Sequence, residues 1–479
     1  SLRVFDVSKN DIRALGPEIG KLVLLRQLSL ARNELLCVPE VLDRLVRLKK
    51  LKLDSNRLTY LPMNLTFLTA LEILDVRNNL FLALAPQVGR MTSLTEIKVF
   101  GNPIKTPPPF VCDAGTEIIL QYLQRLDSAI VTGVLDLHDL RIPAKKILVE
   151  KGDVVTPRFG KKKKKDKFKV VPEIVCPLRE FHFPHGWYTG QFSLRRQDII
   201  EIDLSGNGMK YLLGPEFSGA RESCVVPHSM VDCIVPPEGW RLDPLSRLEK
   251  LQLQRNRLSE LPNEVQYLTS LKYLDLSDNV LEWISGPYFG QLVNLTFLNL
   301  RSNARLKRLP FEMGKFSRLE YLDVIDCSLT SPPPIIVQRG VKPIIDYLRR
   351  HYEAMATKVL DMDGVILLSM PHDITERHDI KSLLFRNNGV AIIPPEIGQM
   401  TGLTELHLDF NRLAKIPNEI SHLTNLAHIS VSNNYLTNVF ENDSIFAVLQ
   451  KLSFLDVSHN FIEKLPFELC RVSAITDLV

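Results

Sequence analysis

Cysteine and histidine side chains near the middle of the chain are of the types that bind zinc. Cys224, His228 and Cys233 lie close together in the sequence. Structural zinc sites use four ligands, usually in closely spaced cysteine and histidine pairs. These three residues match no standard zinc-finger spacing, and a fourth ligand is absent. We therefore predict an irregular, elongated repeat at this position and no metal site.

A second set, His407, Asp409 and His428, combines imidazole and carboxylate groups that could serve catalysis or metal binding. The alternative is that these are ordinary solvent-facing side chains of a sheet. The sequence has no GxxxxGK[ST] loop, no GxGxxG after a strand, no HExxH and no GxSxG. We therefore predict that the chain is not an enzyme and takes no cofactor.

The third set is a run of basic residues that contains one acid, Asp166. Its lysines are Lys161, Lys162, Lys163, Lys164, Lys165, Lys167 and Lys169. Such a run repels itself and is typical of a solvated loop. It could instead contact an acidic partner such as a tubulin tail, an RNA or an anionic membrane, or serve nuclear localisation. The net charge of the whole chain is only +4, which does not by itself favour a nucleic acid as partner.

The elements that must position these side chains repeat along the sequence. The first repeats are marked by asparagines 23 residues apart, at Asn10, Asn33, Asn56, Asn79 and Asn102. Asn207 opens a second set, and the same pattern returns at Asn256, Asn279, Asn303, Cys327, Asn388, Asn411, Asn434 and Asn460. A period of this length indicates a solenoid of stacked repeats.

The residue types within one repeat explain the stacking. Leu51 and Leu53 alternate with Lys52, so the leucines point inward from a short strand and the lysine points outward. The asparagine can bond the backbone where the chain leaves the strand, and Cys327 is a smaller substitute. A segment such as 17–20 returns the chain along the convex side. Because one repeat cannot bury its own apolar face, neighbours must share a core and a parallel concave sheet.

This pattern, clearest from Leu48 to Pro62, is similar to the intracellular leucine-rich-repeat family of the 23-residue, Ras-group type. The resemblance covers most of the chain, apart from roughly 143–198 and 214–244. It implies an α/β solenoid, a horseshoe with a parallel concave sheet, that serves as a protein-recognition scaffold. It also implies small GTPases and phosphatase subunits as plausible partners.

The chain contains an internal duplication that includes a helical segment. Pro107-Pro108-Pro109 and Pro332-Pro333-Pro334 lie 225 residues apart and interrupt the convex segment. Each is followed by an amphipathic stretch whose apolar residues are Ile118, Ile119, Tyr122 and Leu123, and Ile344, Ile345, Tyr347 and Leu348. We predict helical caps laid over the repeat stack. The 23-residue step from Val365 to Asn388 favours continued stacking, and the alternative is a hinge between separate arcs.

These features divide the chain into four parts. We predict a first repeat block with a helical cap over 1–142 and a basic insertion over 143–198. A second block with a cap spans 199–365 and contains a second insertion at 214–244. A third block spans 366–479. Because the chain begins at Ser1 and its last repeat has no cap, we expect it to be a piece of a longer protein.

The outward strand positions are where a partner would bind. In the first block they present a mildly basic row: Arg32, Lys50, Lys52, Arg77 and Lys98. In the second block Tyr273, Phe297 and Tyr321 recur 24 residues apart and should form an aromatic ladder. Exposed aromatic residues in register favour a binding anchor, although cross-strand packing that only stabilises the sheet is the alternative.

We therefore predict a non-catalytic scaffold that binds proteins on its concave faces, within a larger assembly. One alternative is a structural component of a ciliary or cytoskeletal complex with tubulin as partner. Another is the recognition region of a larger signalling regulator. The seven cysteines show no paired spacing, and no apolar run reaches the length of a membrane span. The unpaired cysteines favour a reducing interior such as the cytosol or the nucleus, and we predict a cytoplasmic location, which could be cytoskeletal or ciliary.

Overall fold

The computed structural model describes residues 2–104, 106–138, 199–209, 247–440 and 442–479. They fall into two compact units, Ser1–Leu258 and Ser259–Val479. Both predicted insertions lie outside the described residues. What we predict for Cys224, His228 and Cys233, and for the lysine run Lys161–Lys165, therefore rests on the sequence alone.

The first unit is built from short parallel strands in chain order. Five form one sheet: β1 (Val4–Asp6), β2 (Gln27–Ser29), β3 (Lys50–Lys52), β4 (Ile73–Asp75) and β5 (Glu96–Lys98). Three more pair with each other: β6 (Val134–Asp136), β7 (Glu201–Asp203) and β8 (Lys250–Gln252). The convex returns are 3-10 helices at Pro17–Lys21, Glu40–Arg44, Met63–Phe67 and Pro86–Arg90. Two α-helices, α1 (Pro109–Ala114) and α2 (Thr116–Thr132), lie between β5 and β6.

The second unit repeats this organisation. Three paired strands come first: β9 (Tyr273–Asp275), β10 (Phe297–Asn299) and β11 (Tyr321–Asp323). A six-stranded parallel sheet follows: β12 (Val359–Asp361), β13 (Ser382–Leu384), β14 (Glu405–His407), β15 (His428–Ser430), β16 (Phe454–Asp456) and β17 (Asp477–Leu478).

Short convex helices also connect the strands of the second unit. The 3-10 helices are Asn263–Tyr267, Phe311–Lys315, Pro395–Gln399, Asn418–His422, Asp443–Ala447 and Phe467–Arg471. The α-helices are α3 (Gly286–Phe289), α4 (Pro334–Val337), α5 (Val341–Thr357) and α6 (His372–Thr375). Among the described residues no helix combines the length and the apolar character that a membrane crossing needs.

The recurring leucines form the interior of each unit, as the repeat pattern predicts. Leu51 and Leu53 are fully buried, whereas Lys52 between them is exposed. Their neighbours Leu28 and Leu74 pair with Leu51 in register and are also buried. Burying a leucine side chain contributes roughly 2 kcal/mol, so the shared row of leucines holds adjacent repeats together.

The regular spacing of the asparagines has a hydrogen-bonding cause. Asn56 donates from Nδ2 to the carbonyls of Leu30 and Leu53, both at 3.0 Å, and its Oδ1 accepts from the Leu35 amide. One side chain thus joins two neighbouring repeats where the backbone turns out of the strand. Cys327 takes the same place with a Sγ bond to the Leu300 carbonyl at 3.2 Å, so its prediction as a substitute is confirmed.

The two predicted amphipathic helices are confirmed as α2 and α5. Ile118, Ile119, Tyr122 and Leu123 are buried on α2. On α5, Ile344, Tyr347 and Leu348 are buried and Ile345 is half-buried.

Each helix packs over the last repeat of one sheet and against the strand that follows it. Helix α2 packs on the 3-10 helix Pro86–Arg90 and also on β6, and α5 packs in the same way on Phe311–Lys315 and on β12. One sheet ends at β5 and another ends at β11, because a full α-helix takes the place of the next 3-10 helix on the convex side. Stacking does resume beyond α5, where β12 pairs with β13, but the sheet is not continuous past the helix.

Candidate functional site

The aromatic ladder, Tyr273, Phe297 and Tyr321, occupies the first position of β9, β10 and β11. Parallel strands in register place these residues beside one another, and their rings stack. Centroids lie 4.1 Å apart between Tyr273 and Phe297, with planes 7° from parallel, and 4.4 Å apart between Phe297 and Tyr321, with planes 3° apart. The predicted ladder is therefore present, while its role in binding remains a prediction.

The exposure of the ladder increases along the sheet. Tyr273 and Phe297 are half-buried, and Tyr321 is 44% exposed. The Tyr321 hydroxyl lies 3.4 Å from the Asp323 carboxylate. Partial burial, followed by the negative charge of Asp323, raises the pKa of Tyr321. The ladder thus ends in an accessible phenol next to an acid.

A polar row runs parallel to the aromatic ladder at the third strand position, formed by Asp275, Asn299 and Asp323. Asp275 is buried and accepts bonds from the amide and hydroxyl of Ser277 and from Asn299. Asp323 accepts from the Ile325 amide, and the Arg301 guanidinium lies 4.0 Å from it. The face that carries the rings is therefore also acidic.

The basic residues predicted on the first unit only partly share one face. Lys50 and Lys52 lie on β3 and Lys98 on β5. Arg32 and Arg77 follow their strands instead of belonging to them, and Arg32 has a positive φ of 56° in the turn. Their prediction as strand residues is wrong, because the strands are only three residues long.

Two of these cations are already paired with acids. Arg77 Nε and Nη2 donate to Asp75 at 2.9 and 2.7 Å, and Asp75 raises the pKa of Arg77. The Lys98 ammonium lies 3.2 Å from Glu96. The exposed Lys98–Glu96 pair contributes little to stability, whereas the Arg77 pair involves the buried Asp75. Both pairs cancel charge. The face is consequently less basic than the row of cations suggests.

A cavity of about 520 Å³ lies at the end of this sheet and was not predicted. Arg77, Lys98, Phe100 and Cys112 are among its lining residues. Burial raises the pKa of the Cys112 thiol to about 12, so this cysteine is a poor nucleophile. The triple proline, which turns the chain away from the sheet here, was the available sequence signal for a gap.

His407 and His428 come together in the second unit, without a catalytic arrangement. Their ring centroids are 4.6 Å apart, and His428 stacks on Phe454 at 4.0 Å. Asp409 is buried and accepts bonds from Ser430 and Ser432. Partial burial and the neighbouring His428 lower the pKa of His407. The Asp409 carboxylate thus binds one serine at the end of β15 and one just after that strand.

Asp136, His138 and Asp203 in the first unit offer ligand atoms within 4.8 Å of one another. Asp136 already accepts from the His138 amide, and its carboxylate lies 3.8 Å from Arg125. Asp203 accepts from the Ser205 amide and from Gln252. Both carboxylates, at the ends of β6 and β7, thus already have partners within the protein, which explains the cluster without an ion.

A buried polar cluster near α5 also escaped prediction. Asp373 on α6 is bonded by the hydroxyls of Ser331 and Tyr347. His351 lies 3.8 Å from Asp373 and stacks on Phe311 at 4.4 Å. The serine, histidine and aspartate are buried, so no substrate can reach them, and the cluster is structural. The sequence pattern gave no signal for it, because the residues come from three separate segments.

Comparison with known proteins gives a consistent picture. The leucine rich repeat family matches residues 1–58, 246–304 and 401–462. The trophoblast glycoprotein of Macaca fascicularis is 32% identical over 194 residues, which cover 34% of this chain and 46% of that protein. Leucine-rich repeat serine/threonine-protein kinase 1 of Caenorhabditis elegans is 34% identical over 139 residues, 26% of this chain and 6% of the kinase. The chain thus spans less than half the length of either relative.

Similarity to solved structures is broad in coverage and low in score. A leucine-rich-repeat protein of Leptospira interrogans is 22% identical to this chain, with a TM-score of 0.26. The alignment covers 99% of this chain and 89% of that protein. The fold assignment therefore depends on the repeats themselves. The stacked strands, the asparagine bonds between them and the three matched stretches show that the described part of this chain has the fold of a leucine-rich-repeat solenoid.

Proposed function

We propose that the chain is a non-catalytic scaffold that binds partner proteins on the strand-lined faces of its repeats. Leucine-rich repeats are generally non-catalytic, and the fold suits protein–protein interaction. The observation that carries the proposal is the aromatic ladder Tyr273, Phe297 and Tyr321. Large aromatic side chains on an open sheet lose little conformational entropy on binding and bury much area, which makes them suitable anchors.

The same ladder could exist only to stabilise the sheet. Two features favour the binding interpretation. The ladder becomes more exposed toward its end, with Tyr321 at 44%, and stacking between neighbours does not require that exposure. The corresponding first positions of β3, β4 and β5 are Lys50, Ile73 and Glu96, so the fold is compatible with non-aromatic residues there.

The experiment compares partner retention by matched variants. The purified chain and its Tyr273→Ser, Phe297→Ser, Tyr321→Ser triple variant are immobilised and exposed to the same cell extract, and retained proteins are quantified by mass spectrometry. Trp283→Ser is the control, because Trp283 is 52% exposed but lies outside the strands. We expect the amount of specifically retained protein to fall at least about tenfold in the triple variant, as binding does when hot-spot residues are removed. Equal retention by all three folded proteins would refute the proposal.

A second candidate, the recognition region of a larger signalling regulator, is supported by two relatives. Besides the kinase, an adenylate cyclase of Podospora anserina is 25% identical over 198 residues, 41% of this chain and 8% of the cyclase. Both are much longer than the matched stretch. The full-length sequence of this protein would test the candidate, and a protein without a catalytic domain would exclude it.

We also propose the intracellular, Ras-group type of repeat and a cytoplasmic location. The 23-residue spacing supports the first proposal. The free thiols of Cys37, Cys112, Cys327 and Cys470, which are the cysteines among the described residues, support the second. Small GTPases, phosphatase subunits and tubulin stay predicted partner classes. A ciliary or cytoskeletal assembly depends on the lysine run, and microtubule co-sedimentation of a variant with neutralised lysines would test it.

A further inference from the structure

The strands that carry the aromatic ladder are acidic as well as aromatic. Carboxylates on or next to β9, β10 and β11 come from Asp275, Asp278, Glu320, Asp323 and Asp326. The cations on the same strands and flanks are Lys272, Arg301 and Arg318. Acids therefore outnumber bases around the ladder, and this face repels an acidic partner.

The fold does not impose this combination. In the first unit the three strands before the triple proline are β3, β4 and β5, whose third positions hold Lys52, Asp75 and Lys98. The corresponding positions of β9, β10 and β11 hold Asp275, Asn299 and Asp323. The duplicated strands thus keep a leucine or, in β5, Ile97 at the middle position and differ in the chemistry that they present outside.

The last ring of the ladder is the most accessible. Strand β11 is the terminal strand of its sheet among the described residues, so no paired strand covers the face of Tyr321 opposite Phe297. Asp323 lies beside this ring, with its carboxylate 3.4 Å from the hydroxyl. The Arg301 guanidinium is half-exposed and lies 4.0 Å from the Asp323 carboxylate, which is too long for a strong ion pair, and 11% of the Asp323 side chain is exposed.

An aromatic face beside a carboxylate attracts a cation in two ways. A lysine or arginine over an aromatic ring is attracted by the negative face of the ring, and more strongly the further the pair is desolvated. The carboxylate adds a charge-assisted hydrogen bond to the same group. The apolar stem of the side chain can then lie along the neighbouring rings.

We propose that β9, β10 and β11 bind an extended, lysine- or arginine-bearing segment of a partner protein. One cationic group lies against the free face of Tyr321 and pairs with Asp323, and the stems of the bound segment pack along the aromatic ladder. This inference rests on the proposed scaffold function and specifies the chemistry of the partner at one surface.

The test uses two synthetic peptides and the whole chain. A fluorescent nine-residue peptide that alternates lysine with glycine is titrated with the protein, and binding is followed by anisotropy. The same peptide with glutamate in place of lysine is the charge-reversed probe. We expect the lysine peptide to bind and the glutamate peptide not to bind. The affinity should fall as salt is raised, because exposed charges are screened.

Variants of this surface give the specific readout. Tyr321→Leu and Asp323→Asn should each weaken the lysine peptide by about fivefold, which corresponds to about 1 kcal/mol. Tyr321→Phe keeps the ring face and should bind within about twofold of the unchanged protein. Glu96→Gln, at the equivalent position on β5, is the matched control and should leave the affinity unchanged.

Three results would overturn the inference: no binding of the lysine peptide, equal binding of both peptides, or binding that is insensitive to Tyr321→Leu and Asp323→Asn. The extract experiment separates this failure from that of the scaffold function. If the triple serine variant loses its partners while the lysine peptide does not bind, the scaffold function stands and only the basic partner is excluded.

Discussion

The Tyr347 hydroxyl lies 2.8 and 2.9 Å from the two carboxylate oxygens of Asp373, in the buried contact between helices α5 and α6. Burial, and then the charge of Asp373, raises the pKa of Tyr347, so the phenol stays a donor across the ordinary pH range. This bond helps to fix helix α5 to the segment that follows β12.

Removing that hydroxyl should be costly. We expect Tyr347→Phe to lower the free energy of unfolding by about 2 kcal/mol, because a buried carboxylate loses one of its donors. Urea denaturation measures the effect. Tyr352→Phe on the same helix is the control, since its ring lies under Lys315 and the ring is retained. Similar losses for both variants would show that the Asp373 contact is unimportant.

His351 should make the second unit sensitive to acid. Both of its ring nitrogens are buried and have no hydrogen-bond partner among the described residues, and burial, followed by Arg377, lowers its pKa to about 3. The unfolded chain therefore takes up this proton near pH 6.5, before the folded chain does. Stability is lost as the pH falls from about 6.5 toward 3, by up to about 1.4 kcal/mol per pH unit.

The measurement compares unfolding free energies at pH 7.5 and pH 5.5. The His351→Leu variant should lose about 1 kcal/mol less over this interval than the unchanged protein, whatever its absolute stability. Burial raises the pKa of Asp373, which acts in the opposite direction, but Asp373 is present in both proteins. An identical pH dependence for the two proteins would contradict the expected role of His351.

Gly89 should tolerate no side chain, because helix α2 packs directly on it. A Cβ at this position would lie 2.3 Å from the Gln124 amide nitrogen and 2.7 Å from the Gln124 Cα. We expect Gly89→Ala to cost about 3 kcal/mol or to displace α2, since backbone atoms cannot move aside cheaply. Thermal unfolding and hydrogen exchange of the α2 amides would report both effects.

Gly16→Ala is the matched control for that substitution. The added Cβ at Gly16 would meet only the end of the Glu18 side chain, at 2.6 Å, and this carboxylate is free to rotate away. We expect a change of less than about 0.5 kcal/mol. If both alanines are equally well tolerated, helix α2 does not pack as closely as described.

The hydrogen bonds of Asn56 to two neighbouring repeats predict that Asn56→Asp destabilises the first unit, although the two side chains have the same shape. An aspartate cannot donate to the carbonyls of Leu30 and Leu53, and it introduces a buried charge. We expect a loss of roughly 3 kcal/mol. Asn10→Asp is the control, because Asn10 is exposed and bonds only carbonyls within its own turn. Urea denaturation of the pair tests the difference.

The repeat pattern alone predicted most of the architecture. A leucine such as Leu51 and an asparagine such as Asn56 recur at a fixed period, and only stacking can bury such residues. The aromatic ladder followed for the same reason, since strands in register place identical positions side by side. Arg32 and Arg77 were misplaced because the sequence period does not show how short each strand is.

What only the tertiary structure decided is where the stacking is interrupted and what fills the interruption. The end of the sheet at β11, the cavity beside Lys98, and the contact of Tyr347 with Asp373 depend on how a full helix packs in the place of a convex turn. Each of these features is formed by residues from separate segments that do not recur at the period of the repeats. The sequence pattern within one repeat determines which side of its strand is buried. The sheet ends, the cavity and the contact depend instead on how distant segments pack together.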